Sequence, residues 1–327
     1  MRRVKPQIFY PSLSRGFSRR EFLAGVSLLA AAAATGCKTA SLAGPEPIID
    51  IHQHAGYSGR PDENLIAHQQ AMGVTRTILL PSGTPMQTPA TNFGKANGLQ
   101  ADCYGNAACY RLARANPRRF LFAANEVPDS PGAIAEIEKY LKLGAVAIAE
   151  QKFGLDCDSP KMERLYELAA DHRVPLLMHW QHGTYNHGFE RFGKILEKFP
   201  RTTFIGHAQT WWANIDKNHT DQTLLYPKGK VTPGGLTDRY LADYPNVFAD
   251  LSAGSGLNAL TRDEDFTVGF FRRHQDKLLY GSDCNDRVGS GPLCQGAQTI
   301  AAVRRFAGDK SIERKILYEN ARRVFRI

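Results

Sequence analysis

The sequence predicts an α/β fold, a single-domain (β/α)8 barrel, with a metal site at the carboxyl-terminal ends of its strands. Three observations carry that prediction. From Ile48 onward, eight short apolar runs alternate with amphipathic helical stretches; parallel strands buried on both faces read in this way, and right-handed crossovers leave little alternative topology. No stretch resembles a linker between two domains, and about 290 residues after Cys37 are the size of one barrel with modest insertions. Several of the runs stop on a histidine or an aspartate, at the end of the strand where barrels of this kind place their chemistry.

The expected strands are Ile48–His54, Thr75–Pro81, Arg119–Val127, Ala145–Phe153, Pro175–Trp180, Thr202–Ala208, Asn246–Ser252 and Lys277–Asp283. Expected helices lie between them over Asn64–Met72, Ala107–Ala115, Pro131–Leu143, Ser159–His172, Glu190–Phe199 and Asp263–His274, with Lys310–Phe325 closing the chain. One connection is far longer than a typical loop. Gln209–Asp243, with Trp211, Trp212 and Pro233-Gly234-Gly235, reads either as a lid or substrate wall or as a surface excursion packed by its own side chains.

Composition excludes several classes. With 43% hydrophobic and 22% charged residues in 327, the chain is neither disordered, collagenous nor a disulfide-dense miniprotein. Its formal net charge of +9 invites a nucleic-acid or anionic-membrane partner until the charge is located. Residues 1–36 carry Arg2, Arg3, Lys5, Arg15, Arg19 and Arg20 against Glu21, so subtracting their net +5 from +9 leaves about +4 for the rest. The remaining Lys and Arg are interspersed with acids and show no aromatic-plus-basic motif, so no nucleic-acid partner is expected.

Arg19-Arg20-Glu21-Phe22-Leu23 precedes a mildly apolar, Ala-rich stretch shorter than the roughly 20 residues of a bilayer span. The pattern resembles a twin-arginine export signal. Ala34-Thr35-Gly36-Cys37 resembles a lipoprotein cleavage box in which Cys37 is acylated, the alternative being cleavage near Ala40 or Ala43. These resemblances imply a signal over 1–37, a short linker over 38–47, a catalytic barrel over 48–327 and export to the periplasm or cell envelope, with a membrane engaged only through the lipid. Five cysteines follow Cys37, namely Cys103, Cys109, Cys157, Cys284 and Cys294, and their spacing matches no disulfide framework or four-cysteine zinc site. A disulfide between Cys284 and Cys294 would rigidify the loop between them; two separate thiols are the alternative.

The candidate site is read from the strand ends. In Asp50-Ile51-His52-Gln53-His54 the two imidazoles fall on one side of a strand, close enough to share a cation. The fifth, sixth and eighth runs end at His179, His207 and Asp283. Imidazoles with a carboxylate suit zinc, with manganese or iron as alternatives, and a position left for water makes such a site catalytic. In the fourth run Glu150 and Lys152 share a face, so both can point inward.

The order of these strand ends, together with the Gly281-Ser282-Asp283 ending, resembles the amidohydrolase superfamily. Within it the likeness is to the amidohydrolase-related branch (amidohydrolase family 2), which includes aminocarboxymuconate-semialdehyde decarboxylase and lactone-hydrolysing relatives. The resemblance implies that His52, His54, His179 and Asp283 bind the metal, and that His207 is a ligand of a second metal or an acid/base group; it leaves open whether Glu150 bridges two metals or pairs with Lys152 beside one, the one-metal site being favoured. The implied reaction is hydrolysis of an amide, lactone or ester, with Asp283 accepting the proton of an activated water and His207 polarising the carbonyl. Non-oxidative decarboxylation is the alternative on the same residues, and a non-catalytic exported ligand-binding barrel is a third possibility. Weaker candidates for a small-molecule pocket are Trp180, Trp211, Trp212, Tyr57 and Arg287, with His182 and His187 on the loop after the fifth run and Asp250 as a partner for a ligand histidine.

Overall fold

The computed structural model describes residues 46–83 and 103–327. The expected export signal with Cys37, and all of the expected linker but residues 46 and 47, lie outside the described residues. The eight expected strands all form, shorter than their apolar runs: β1 (Ile49–Gln53), β2 (Arg76–Leu79), β3 (Phe120–Phe122), β4 (Ile148–Gln151), β5 (Leu176–His179), β6 (Phe204–His207), β7 (Val247–Asp250) and β8 (Leu278–Leu279). All pair in parallel, in the order β1-β2-β3 and β4-β5-β6-β7-β8.

Backbone hydrogen bonds cross both seams between these two sheets. Val146 N donates to Phe122 O and Ala124 N to Ala147 O, each at 2.9 Å, while Ile51 N donates to Tyr280 O at 3.1 Å and Asp283 N to His52 O at 2.8 Å. The second seam is reinforced by the buried Asp50 carboxylate, which accepts from Ser282 N at 2.9 Å and Ser282 Oγ at 2.5 Å. The protein is a (β/α)8 barrel of the TIM type.

Every strand contributes to the barrel interior. Ile49, Ile51, Ile78, Leu80, Ala123, Ala147, Ala149, Leu177, Ile205, Phe248 and Leu279 form one buried cluster, to which Ala321, Val324 and Phe325 of the last helix also belong. A larger apolar cluster holds the surrounding helices on the strands. The last helical stretch is three pieces rather than one, with a π turn over Lys315–Glu319 between Lys310–Arg314 and Asn320–Phe325. Asp309 starts it by accepting from Ile312 N at 3.0 Å, a side-chain cap for an otherwise orphaned amide.

The long connection after β6 opens with a helix over Gln209–Ala213 and ends with one over Leu236–Asp243. Between them the chain is tied to itself and to neighbouring helices: Asn214 Nδ2 donates to Gln222 Oε1 at 2.8 Å, Lys217 N to Thr232 O at 2.8 Å and Val231 N to Asp263 Oδ2 at 2.9 Å. This is the surface excursion packed by its own side chains, and Trp211 and Trp212 turn into the core beneath it. Among the described residues no helix is long and apolar enough to cross a membrane.

Candidate metal centre

The site is assembled at the carboxyl ends of β1, β4, β6, β7 and β8. His52 and His54 lie with ring centroids 5.2 Å apart and edges crossed. Their Nε2 atoms converge on two carboxylates: Glu150 Oε2 is 3.5 Å from His52 and 3.6 Å from His54, and Asp283 Oδ1 is 3.8 and 3.5 Å from the same atoms. His207 Nε2 completes the ring, 3.8 Å from Glu150 Oε1 and 3.8 Å from Asp283 Oδ2. Two donor groups of a size that holds a metal ion, His52-His54-Asp283 and His52-Glu150-His207, share His52 and so describe one cage.

Each of the three rings is anchored through its other nitrogen. His52 Nδ1 donates to Asp250 Oδ2 at 2.7 Å, His54 Nδ1 to Leu80 O at 2.7 Å, and His207 Nδ1 to Ser252 Oγ at 3.1 Å. Ser252 Oγ in turn donates to Asp250 Oδ2 at 2.8 Å, so one carboxylate orients two rings. With the proton on Nδ1, each ring in its neutral form has a lone pair on Nε2, the arrangement metal-ligating histidines use. Correspondingly, His52 Nε2, His207 Nε2 and Asp283 Oδ1 are buried with no hydrogen-bond partner. Orphaned buried polar atoms are costly, and three of them converging on one point fit a cation.

The backbone supports this convergence locally. Asp283 has φ 42° and Ala208, directly after His207, has φ 80°, conformations that L residues adopt at a cost and that concentrate at functional sites. Gly281 is dictated by close approach: a Cβ there would lie 2.5 Å from Asp250 Oδ1 and 2.8 Å from His52 Cβ.

Charge separation follows from these contacts. Burial favours neutral His52, but Asp283, Asp250 and Glu150 outweigh it and hold its pKa well above the ordinary imidazole value. Burial opposes protonation of His54 too, yet its contacts with Asp283 and Cys103 push it up to about 10. His207 goes the other way, pulled down to about 4 chiefly by burial. Both Asp283 and Glu150 stay ionised despite burial, the first because of His52 and His54, the second because of Lys152, His179 and His52.

Several expectations change here. His179, expected beside His52 as a ligand, falls in neither donor group among the described residues; its Nδ1 lies 2.5 Å from Glu150 Oε1 and its Nε2 3.2 Å from Gln181 Oε1. Glu150, considered as a bridge or as a partner of Lys152, forms no ion pair with Lys152 among the described residues; Lys152 Nζ lies 5.6 Å from the Tyr185 ring centre. His207 Nδ1 lies 3.1 Å from Ser252 Oγ, and with the proton on that nitrogen its Nε2 presents a lone pair to the cage. Trp180, Trp211 and Trp212 are buried rather than facing a pocket. Trp180 packs on Phe189 and Phe192 at 5.1 and 4.8 Å, Trp211 on Phe189 at 5.9 Å, and Trp212 Nε1 donates to Asp250 O at 2.9 Å. Arg287 is exposed. His182 and His187 line a separate cavity of about 490 Å3 between the loops after β5 and β6. Cys284 and Cys294 are free thiols with sulfurs 3.9 Å apart.

Residue-by-residue reading missed Ser252, Gln181 and Cys103 as neighbours of the cage. Ser252 two residues after Asp250 carried a usable signal, because a hydroxyl on the same face of a strand end reaches the same ring. Cys103 carried none, being 49 residues from His54 in sequence.

A buried His and carboxylate cage at the mouth of a (β/α)8 barrel defines the class of metal-dependent barrel enzymes. The chain belongs to the amidohydrolase family, whose model matches residues 49–327. No curated protein matches it significantly. Among solved structures it is similar to a probable 2-pyrone-4,6-dicarboxylic acid hydrolase from Acinetobacter baumannii, with TM-score 0.55 and 14% identity over 86% of this chain and 99% of that one. It is also similar to a 4-oxalomesaconate hydratase from Rhodopseudomonas palustris, with TM-score 0.55 and 20% identity over 85% and 95%. A 2,6-dihydroxybenzoate decarboxylase from Rhizobium gives TM-score 0.54 and 13% identity over 86% and 99%. At these identities the likeness is one of fold.

Proposed function

We propose that the protein is a metal-dependent hydrolase that cleaves a lactone, ester or amide bond of a small molecule, with one divalent cation, zinc in the first instance, held by His52, His54, Glu150 and Asp283. The observation that carries this reading is the state of Asp283. Every other carboxylate around the cage is committed: Glu150 to His179 at 2.5 Å, Asp250 to His52 at 2.7 Å and Asp50 to Ser282 at 2.5 Å. Asp283 is ionised, and its buried Oδ1 makes no hydrogen bond, its nearest polar neighbours being His54 Nε2 at 3.5 Å and His52 Nε2 at 3.8 Å.

When bound, a divalent cation supplies the charge that acidifies water and polarises a carbonyl oxygen. Asp283 then accepts the proton from water and returns it to the leaving group, a general acid–base role that needs a carboxylate already ionised at neutral pH. His207, neutral at pH 7, offers Nε2 as an additional acceptor, backed by Ser252 and Asp250. His179 holds Glu150 in place. Tyr57, whose hydroxyl is kept protonated chiefly by the charge of Asp283 and by burial, lies at the edge of the cage against His54, with ring centroids 5.0 Å apart. Export through Arg19-Arg20, with an acylated Cys37, forms part of the proposal and is tested by mass spectrometry of the mature amino terminus.

The test is an assay of zinc- and manganese-loaded protein against panels of lactones, esters and amides, with CO2 release from hydroxybenzoic acids followed in parallel. Hydrolysis that disappears in Asp283→Asn with the metal retained is expected. Release of CO2 without hydrolysis would overturn the assignment in favour of decarboxylation.

A further inference from the structure

A second group of metal-ligand side chains lies beside the cage, outside the residues the proposed reaction uses. His68, on the helix Asp62–Ala71, meets Cys284, Asp286 and Cys294 from the loop that follows β8. Cys284 Sγ is 3.4 Å and Cys294 Sγ 3.6 Å from His68 Nε2, the two sulfurs are 3.9 Å apart, and Asp286 Oδ1 is 2.9 Å from His68 Nε2. His68 and both cysteines are buried, and the Asp286 side chain is 13% exposed.

A tetrahedral zinc ion with Zn–S of about 2.3 Å and Zn–N of about 2.0–2.1 Å sets a sulfur–sulfur edge of about 3.8 Å and sulfur–nitrogen edges of about 3.6 Å. The three edges found here match these to within about 0.2 Å. Only the His68–Asp286 edge is short, against about 3.3 Å for such a tetrahedron. The surroundings hold Asp286 and Cys294 in the orientation a ligand needs. Asp286 Oδ2 accepts from Val288 N at 3.0 Å and Gly289 N at 2.8 Å, which leaves Oδ1 for a cation. Cys294 Sγ accepts from Ala297 N at 3.4 Å as the cap of the helix Gln295–Phe306. Gly289, with φ +73°, lets the loop lie against the His68 carbonyl, where a Cβ would collide.

We propose that His68, Cys284, Asp286 and Cys294 form a second, structural metal site that binds zinc, distinct from the cage at His52. All four positions are protein ligands, so the site is closed to substrate, as structural zinc sites are. Each thiol gives its proton to solvent as it coordinates, the carboxylate binds ionised, and the proton that His68 Nε2 shares with Asp286 Oδ1 leaves to Nδ1 or to solvent so that Nε2 can bind. The ion clamps the loop 284–294 onto the helix Asp62–Ala71. Because Cys284 follows Asp283, and its carbonyl accepts from Gln53 Nε2 at 3.1 Å between the two cage histidines, the clamp also steadies the free carboxylate.

Cobalt substitution tests the site without reference to activity, because a thiolate bound to Co2+ gives a charge-transfer band that imidazole and carboxylate ligands do not. The band is expected in the cobalt-loaded protein, retained in Cys103→Ser and in the His52→Ala/His54→Ala double variant, and lost in Cys284→Ser and Cys294→Ser. A band that survives Cys294→Ser, or no band at all, overturns the proposal. Because a cysteine variant can fail to fold, the unmodified protein supplies an independent measurement. Zn2+ is expected to slow alkylation of Cys284 and Cys294 by about tenfold or more, and a chelator to reverse it. Equal alkylation rates with and without Zn2+, or a Cys284–Cys294 disulfide found by non-reducing mass spectrometry of zinc-treated protein, overturn it. The failure of the proposed hydrolysis leaves both readouts unchanged, so the two proposals fail separately.

Discussion

The Nδ1 of His52 and the Oδ2 of Asp250 lie 2.7 Å apart, both fully buried, although the residues are 198 positions apart in sequence. This contact fixes which nitrogen of His52 faces the cage, and through Ser252 the same carboxylate fixes His207. Asp250→Asn is therefore expected to weaken metal affinity by about 10–100-fold while leaving the fold intact. Competition with a metallochromic chelator measures this, and an unchanged affinity would remove Asp250 from the site.

Asp283→Asn keeps an oxygen that can face the cation but loses the proton acceptor. The rate constant of the chemical step is expected to fall by about 10²–10⁴, with metal stoichiometry unchanged. Elemental analysis beside steady-state kinetics separates this from simple loss of metal.

Metal loading should depend on pH in a definite direction. Asp283 and Cys103 hold the His54 pKa up to about 10, so a cation entering the cage must displace a proton throughout the neutral range. Affinity is expected to rise about tenfold per pH unit towards pH 10 for that proton and to fall correspondingly in acid. The same shift makes protonated His54 a source of stability for the chelated protein. That contribution is fully present below the unfolded imidazole pKa of about 6.5 and is lost as pH rises through about 10. Chelator titrations and thermal melts at several pH values check both, and an affinity independent of pH would contradict them.

Trp180 is a core residue packed between Phe189 and Phe192. Trp180→Ala is expected to cost about 3–5 kcal/mol of stability through the cavity it leaves. Chemical denaturation reads the loss directly. A variant of unchanged stability whose only defect is a raised KM would return Trp180 to the substrate wall.

Gly281 tolerates no side chain, since a Cβ there meets Asp250 Oδ1 at 2.5 Å and His52 Cβ at 2.8 Å. Gly281→Ala is expected to destabilise the fold by about 1–3 kcal/mol and to lower metal occupancy in the same protein, because the displaced atoms belong to the ligand and its anchor. Full metal occupancy in a destabilised variant would show that the cage absorbs the shift.

The amino-acid sequence by itself determined the alternation of eight apolar runs with amphipathic helices, and with it the barrel and the end of it that carries the chemistry. It also determined that His52, His54, His207 and Asp283 lie at or just beyond the carboxyl ends of their strands, because a period of two and the end of an apolar run are local properties. The placement of His179 against Glu150 was decided only by the tertiary structure: it depends on the register of β4 against β5 and on a 2.5 Å contact between residues 29 apart. Burial of Trp180, Trp211 and Trp212 was likewise invisible, since an aromatic at a strand end serves a pocket or a core equally well until its neighbours are known. The cluster of His68 with Cys284, Asp286 and Cys294 joins a helix to a loop more than 200 residues later. Side-chain donors meet at metal-site spacing only when the chain is folded, and for donors this far apart no sequence interval records the meeting.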